Sequence, residues 1–250
     1  MKFKKIVLSL FVIMGVFANA QIIGEDYSKE ILRKETLMGI SLNTNGYGFD
    51  MRLGKDKSYF RKQVWEFGFS VKKHPKEIKA RNPFYINSKD FVYGKINKFF
   101  HFNAAYGYQQ VLNHKPYWGG TEIRYVLFAG ANIGLSRPVY LYIIDYVPGT
   151  YESNITLERF DPDLHNVDNI YGRGPILKGF DKLKPHLGVY TKAGFNFEFG
   201  SDDRKHRSLE TGVAGELFIN PVEMMAFNKS EFLFISLYLN FHFGTRRDYY

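Results

Sequence analysis

From Phe232 to Gly244 the chain alternates. Leu233, Ile235, Leu237, Leu239, Phe241 and Phe243 fall on one side, and Phe232, Phe234, Ser236, Tyr238, Asn240, His242 and Gly244 on the other. Successive side chains of a strand point to opposite faces. This is a strand with one apolar wall and a second face that starts apolar and turns polar. Its 13 residues exceed the roughly 5–6 of an ordinary soluble strand. They reach the about 9–11 that a tilted strand needs to cross a bilayer.

The same period recurs upstream. Met38, Ile40 and Leu42 oppose Gly39 and Ser41, and Asn45-Gly46 then signals a hairpin. Tyr47, Phe49, Met51 and Leu53 alternate with Gly48, Asp50, Arg52 and Gly54. Trp65, Phe67, Phe69 and Val71 alternate with Glu66, Gly68, Ser70 and Lys72. A weaker strand is predicted over 91–96 and clear ones over 101–112 and 121–135. An almost wholly apolar segment over 139–144 reads as another, and strands over 187–199 and 208–219 lead to the last.

Counted this way there are ten strands, with eight or twelve as alternatives. Long segments at 73–90, 113–120, 145–186 and 220–231 fall at one end. Short ones at 55–62, 97–100, 136–138 and 200–207 fall at the other. Short periplasmic turns with longer outer loops are the bacterial barrel pattern. The expected fold is all-β, an antiparallel transmembrane up-and-down β-barrel closed by the last strand against 38–42. A soluble sandwich or lipocalin-like barrel is the alternative, with the apolar faces turned inward. Strand length, aromatic faces and loop asymmetry favour the membrane form.

The N-terminus adds a compartment. Lys2, Lys4 and Lys5 precede the apolar run Ile6–Phe17, and Ala18-Asn19-Ala20 supplies a small-x-small cleavage pattern before Gln21. Residues 1–20 read as a secretory signal, 21–36 as a periplasmic lead, 37–244 as the barrel and 245–250 as a tail. No later apolar run approaches the about 18 residues of a transmembrane helix. Cysteine is absent, so there is neither a lipidated Cys at the cleavage point nor a disulfide framework. Aromatics make up 18% of the chain, with 23 Gly, a mixture that suits aromatic girdles and tight turns. Three of the 34 Lys and Arg leave with the signal, so 31 face 25 Asp and Glu, a net +6. No nucleic-acid motif accompanies that excess. The expected partner is outer-membrane lipid with its anionic head groups.

Candidate chemistry lies on the polar faces. Asp50, Glu66, Glu122, Glu198, Glu210 and Glu216 face Arg52, Lys72, Arg124 and Lys192. A selective pore shows one dominant sign, whereas near balance in a narrow lumen favours a plug of paired charges. A narrow solute path is the alternative. Ser236, Asn240 and His242 carry hydrolase residue types. However, Ser236 and His242 stand about 20 Å apart on one strand at about 3.3 Å per residue, beyond nucleophile–base reach. A triad assembled across strands with His101 stays open. Asp161, Asp163, His165 and Asp168 are oxygen and nitrogen donors for a cation but lack the EF-hand pattern, so no metal site is assigned. Lys72, Lys73, Lys76, Lys79 and Arg81 form a basic group for outer-leaflet contact. Tyr117 and Trp118 are candidates for an interface anchor. No Walker, Rossmann, HExxH or GxSxG motif occurs, so neither an enzyme nor a cofactor is predicted.

The signal ending Ala18-Asn19-Ala20-Gln21, the Tyr- and Phe-rich strands and the terminal Phe241-His242-Phe243-Gly244 together resemble the small outer-membrane β-barrel proteins of Bacteroidota-type bacteria. Lys73-His74-Pro75-Lys76-Glu77 and Tyr93-Gly94-Lys95 add to the likeness. Some such barrels serve type IX secretion and gliding. The resemblance implies the outer membrane of a Gram-negative cell. It also implies a non-enzymatic scaffold or interaction component of a surface or secretion complex, with loop 145–186 as the protein contact. Six residues follow the last strand, a departure from a terminal-Phe assembly signal.

Overall fold

Each period-two strand presents one face that avoids water and one that carries charge. Closing a sheet on itself gives the two faces separate environments. The computed structural model describes residues 33–58, 60–114, 120–146, 153–200 and 204–248. The predicted signal and residues 21–32 of the lead lie outside the described residues, as do Tyr117, Trp118, Tyr249 and Tyr250.

Among the described residues, thirteen strands occur in chain order: β1 (Arg33–Asn43), β2 (Gly46–Ser58), β3 (Arg61–Lys72), β4 (Lys79–Ala80), β5 (Phe91–Val92), β6 (Asn97–Asn113), β7 (Glu122–Pro138), β8 (Tyr140–Tyr146), β9 (Ser153–Arg159), β10 (Ile170–Arg173), β11 (Lys184–Phe199), β12 (Lys205–Val222) and β13 (Glu231–Asp248). Eight of them form a closed barrel in the order β1-β13-β12-β11-β7-β6-β3-β2. Every barrel pairing is antiparallel. β13 closes on β1 from Arg33↔Asp248 to Asn43↔Tyr238. Residues 33–36 and 245–248, expected as lead and tail, are therefore barrel strand.

The fold class is the expected one, with eight strands rather than ten. The two surplus segments leave the wall. Phe91–Val92 pairs only with Lys79–Ala80, and β8 joins β9 and β10 in a separate three-stranded sheet. The reason is visible in β8. Leu141, Ile143 and Ile144 are all buried, so both of its faces need apolar cover, which a strand between lipid and a charged lumen does not offer. The predicted break at 97–100 is absent, because β6 runs through it. Losing one strand before β6 moves the 114–121 connection to the end that holds Arg33 and Asp248, together with 59–60 and 200–204. Losing a second after β7 returns 139–183 and 223–230 to the opposite, outer end, with 44–45 and 73–96.

Polarity separates the two barrel alternatives. Leu237 is 61% and Ile40 58% exposed on the outside, whereas Arg52, Glu210 and His242 are 0% exposed inside. An apolar exterior around a charged interior is the inverse of a soluble barrel and matches a lipid-facing one. Among the described residues, no helix is long and apolar enough to cross a membrane.

At the outer end, Leu141, Ile143, Phe160 and Ile170 pack with Phe91, Ile96 and Ala226 into a small core beneath the long connections. A second apolar cluster closes the bore itself. Phe99, Phe218 and Phe234 point inward from β6, β12 and β13, with Met224 and Met225 packed against them. Their ring centroids are 5.2, 5.8 and 5.9 Å apart. β6 and β13 lie on opposite sides of the barrel, so the three rings span it. This explains why the polar face of the last strand begins apolar.

Candidate functional site

Below the rings the bore is filled by charged side chains in layers. An eight-stranded barrel has an interior just wide enough for side chains to fill, and here many of them are acids and bases set against one another. In the middle layer Arg52 on β2 donates from Nε and Nη2 to Glu66 on β3 at 2.9 and 2.5 Å. It also donates from Nη1 and Nη2 to Glu210 on β12 at 2.6 and 2.7 Å. Lys192 on β11 bridges the same two carboxylates at 3.0 and 3.1 Å. Tyr190 donates to Glu66 at 3.2 Å, and Asn196 to Glu210 at 3.3 Å. Beside this group, Asp50 pairs with His242 Nε2 at 2.8 Å and accepts from Asn240 at 3.3 Å.

Above lies a pair that crosses the full bore. Lys72 on β3 meets Glu216 on β12, four strands away, at 2.7 Å. Toward the terminal end Arg246 binds Glu35 and Glu198, and Lys62 binds Glu35. Glu122 and Arg124, less deeply placed, pair with each other there. Between the layers lies a cavity of about 40 Å³ lined by Ser70, His101, Tyr190 and Glu216 among others. That is room for water, not for a solute.

Burial of so many charges is tolerable only because they are paired and hydrogen-bonded. The geometry gives each inward carboxylate a cationic or imidazole partner, and the cross-bore pairs tie opposite walls together. Phe99, Phe218 and Phe234 were not singled out from the sequence, although their parity with His101, Glu216 and Ser236 already turns them inward.

Hydrolase residues do not assemble. His242 is held by Asp50, and Ser236 is buried six residues further up the strand. His101 does meet a serine, Ser70 Oγ, at 3.1 Å, but through Nδ1. The same Nδ1 is the atom 3.8 Å from Glu216. A catalytic triad places base and orienting carboxylate on different ring nitrogens. In the long loop, Asp161 Oδ1 accepts from the Asp163 backbone and His165 Nδ1 accepts from the Asp161 backbone, both at 3.0 Å. These are turn contacts. Among the described residues no group of three or more His, Asp or Glu is placed to hold a metal ion.

The basic group divides. Lys72, assigned both to the inward polar face and to the outer basic group, points into the bore with Glu216. Its parity with Glu66, Gly68 and Ser70 turns it inward. Lys73, Lys76, Lys79 and Arg81 are exposed outside. Lys76 donates to Asn228 at 2.7 Å and Arg81 to Asp90 at 3.1 Å. Lys73, Lys79 and Arg81 line a cleft of about 700 Å³ between the 73–96 and 139–183 connections. Leu233, Ile235, Leu237, Leu239, Phe241 and Phe243 lie along the outer wall, 41–65% exposed.

No family model matches the chain, and no curated protein matches it in sequence. Similar strand arrangements occur in solved structures. Ail, the attachment invasion locus protein of Yersinia pestis, is 8% identical, with 88% of this chain and 100% of that chain covered and a TM-score of 0.40. Its complex with the heparin analogue sucrose octasulfate gives 9% identity over 88% and 100%, with a TM-score of 0.42. Neisserial surface protein A gives 6% identity over 88% and 98%, with a TM-score of 0.39.

Proposed function

We propose that the chain is a non-enzymatic outer-membrane β-barrel of a Gram-negative cell, exported by cleavage near Ala20-Gln21. Its bore is sealed, and its work is done by the outer connections as an interaction component of a surface or secretion-related complex. The observation that carries this reading is the combination of a filled bore with elaborate outer connections. The Arg52–Glu66–Glu210–Lys192 group, the Lys72–Glu216 crossing and the three-ring lid leave no path for a solute. Meanwhile the outer connections build their own sheet and apolar core. They also expose large apolar side chains away from the strand wall: Ile86 at 95%, Leu177 at 80%, Ile78 at 76% and Phe84 at 74%. Exposed apolar groups gathered in one region mark interaction surfaces. Ile78, Phe84 and Ile86 lie on the 73–96 connection and Leu177 on the 139–183 connection; we assign the contact to the second, which holds residues 145–183 of the anticipated 145–186 loop, while 184–186 belong to β11.

Two measurements test this. Folded protein in a planar bilayer should give no single-channel steps; reproducible steps would return the bore to a solute pathway. Replacing residues 140–178 by a short Gly-Ser linker should leave the heat-modifiable gel shift of the folded barrel intact and abolish recovery of the native complex. Recovery of every partner after the replacement would move the contact elsewhere.

A further inference from the structure

On β6 and β7, Lys98 and Arg137 are register partners. Both point outward. They share parity with Phe102 and Ile133, exposed on the wall, whereas the alternate residues Phe99 and Ser136 are buried inside. Like charges directly opposite each other across a strand pair are destabilising. Neither has a carboxylate partner among the described residues. Arg137 is nearly covered. It donates to the Ile176 carbonyl and lies 4.8 Å from the Phe180 ring, yet its Nε has no hydrogen-bond partner. Lys73 continues the outward row past the end of β3, its ammonium 5.2 Å from the Tyr47 ring.

These three cations open the cleft of about 700 Å³, within the about 300–1,000 Å³ usual for a ligand site. Ten of its lining residues are Lys or Arg, and one, Asp90, is acidic. Three of the ten are neutralised: Lys72 by Glu216 at 2.7 Å, Arg81 by Asp90 at 3.1 Å and Lys95 by Glu77 at 2.5 Å. The remaining seven have no carboxylate among the described residues. Nothing in the barrel's own packing needs such a concentration of one sign, and an anion with several charged oxygens would relieve it.

The level of the cleft selects among anions. One residue pair below the Lys73–Lys98–Arg137 row, on the same outward face, Tyr47, Val71, Phe100 and Leu135 are consecutive register partners. A cationic row directly above an aromatic and aliphatic row is the order of a membrane interface, with aromatic residues at head-group level and basic residues toward water. A soluble polyanion has no use for the apolar row; an acylated one does. We propose that this cleft binds the phosphorylated headgroup of an outer-leaflet lipid, its acyl chains lying along the Tyr47–Val71–Phe100–Leu135 row. This rests on the reading of the apolar exterior as membrane-facing.

The test uses full-length mature protein folded into phosphatidylcholine nanodiscs, titrated with bisphosphorylated lipid A and read by native mass spectrometry after detergent release. Wild type should retain lipid A at saturation, and Lys98→Gln/Arg137→Gln should bind it at least tenfold more weakly. Lys76→Gln, a basic change outside the cleft, should match wild type. Inositol hexakisphosphate, which has phosphates and no chains, should bind at least tenfold more weakly than lipid A. In phosphatidylcholine alone the double variant should resist urea at least as well as wild type, because a like-charge pair is gone; added lipid A should raise the midpoint of wild type only. Equal lipid A binding by wild type and double variant overturns the proposal. So does hexakisphosphate binding as tight as that of lipid A, which would assign the cleft to soluble polyanions. Failure of wild type to enter the nanodisc overturns the membrane reading instead.

Discussion

Removing Arg52 is the sharpest perturbation of the bore. Its guanidinium makes four hydrogen bonds of 2.5–2.9 Å to Glu66 and Glu210. In Arg52→Met a chain of similar length fills the space, but the two carboxylates keep only Lys192 between them. Three acids in this layer, counting Asp50, then face one lysine and His242. Breaking a buried pair by deleting one partner costs about 3–5 kcal/mol, because the surviving charge stays out of water. That is about two to nearly four orders of magnitude in the folding constant. With a urea dependence of about 3 kcal/mol per molar, the midpoint falls by roughly 1–2 M. The assay is urea titration of protein folded in lipid vesicles, read by heat-modifiable mobility. Adding Glu66→Gln to Arg52→Met should recover more than half of the loss, since one uncompensated carboxylate is neutralised. A single variant whose midpoint matches wild type would refute the reasoning. The bore side chains would then be solvated rather than bonded to one another, and the sealed-bore reading would fall with them.

Other outcomes follow from single contacts. A Cβ at Gly39 lies 2.5 Å from His242 Cδ2 and 2.8 Å from Asp50 Oδ1. Gly39→Val should therefore push the imidazole off Asp50 and cost about 1–3 kcal/mol by overpacking, seen as a lower urea midpoint and a shifted His242 ring resonance. Leu237→Arg should cost about 2–4 kcal/mol of folding in vesicles if it sits near the bilayer midplane; unchanged folding there would take β13's outer face out of the lipid. Phe99→Ala should cost about 3–5 kcal/mol, because a fully buried ring leaves a cavity between Phe218 and Phe234. Loss below 1 kcal/mol would mean that the lid is not packed.

Period-two alternation made the wall legible before any coordinates, since one face of each strand meets apolar surroundings and the other meets charge. Alternation also placed Asp50, Arg52, Glu66, Lys192 and Glu210 on one side of their strands. It could not say which of them meet, because Arg52 and Glu210 are 158 positions apart and only register brings them to one level. The count of ten gives way to its alternative of eight where local pattern and tertiary role diverge. Residues 139–144 are apolar on both faces because β8 is the central strand of the loop sheet, with Leu141 and Ile143 in the small outer core and Ile144 buried on the opposite face. Residues 97–100 read as a short connection between the segments 91–96 and 101–112, whereas β6 begins at Asn97. That reading hid Lys98 opposite Arg137, since a residue assigned to a turn has no cross-strand partner. Lys72 falls into two readings, inward by strand parity and outward by proximity to the lysines after it, and parity decides. The aromatic lid follows the same rule: each ring's direction was readable, their meeting was not.

The closing seam between β1 and β13 joins Arg33 to Asp248, residues 215 positions apart. No shorter piece of the chain can complete the cylinder. Until its final strand arrives, both seam strands carry unpaired backbone donors and acceptors, the edges that recruit foreign strands. Pairing over so long a separation is intrinsically slow. The Arg246–Glu35 contact bridges that same seam, so this ion pair is also a latch on the finished ring. A chain cut short before Arg246 would lose the latch together with the seam pairs Arg33↔Asp248, Lys34↔Arg247 and Glu35↔Arg246.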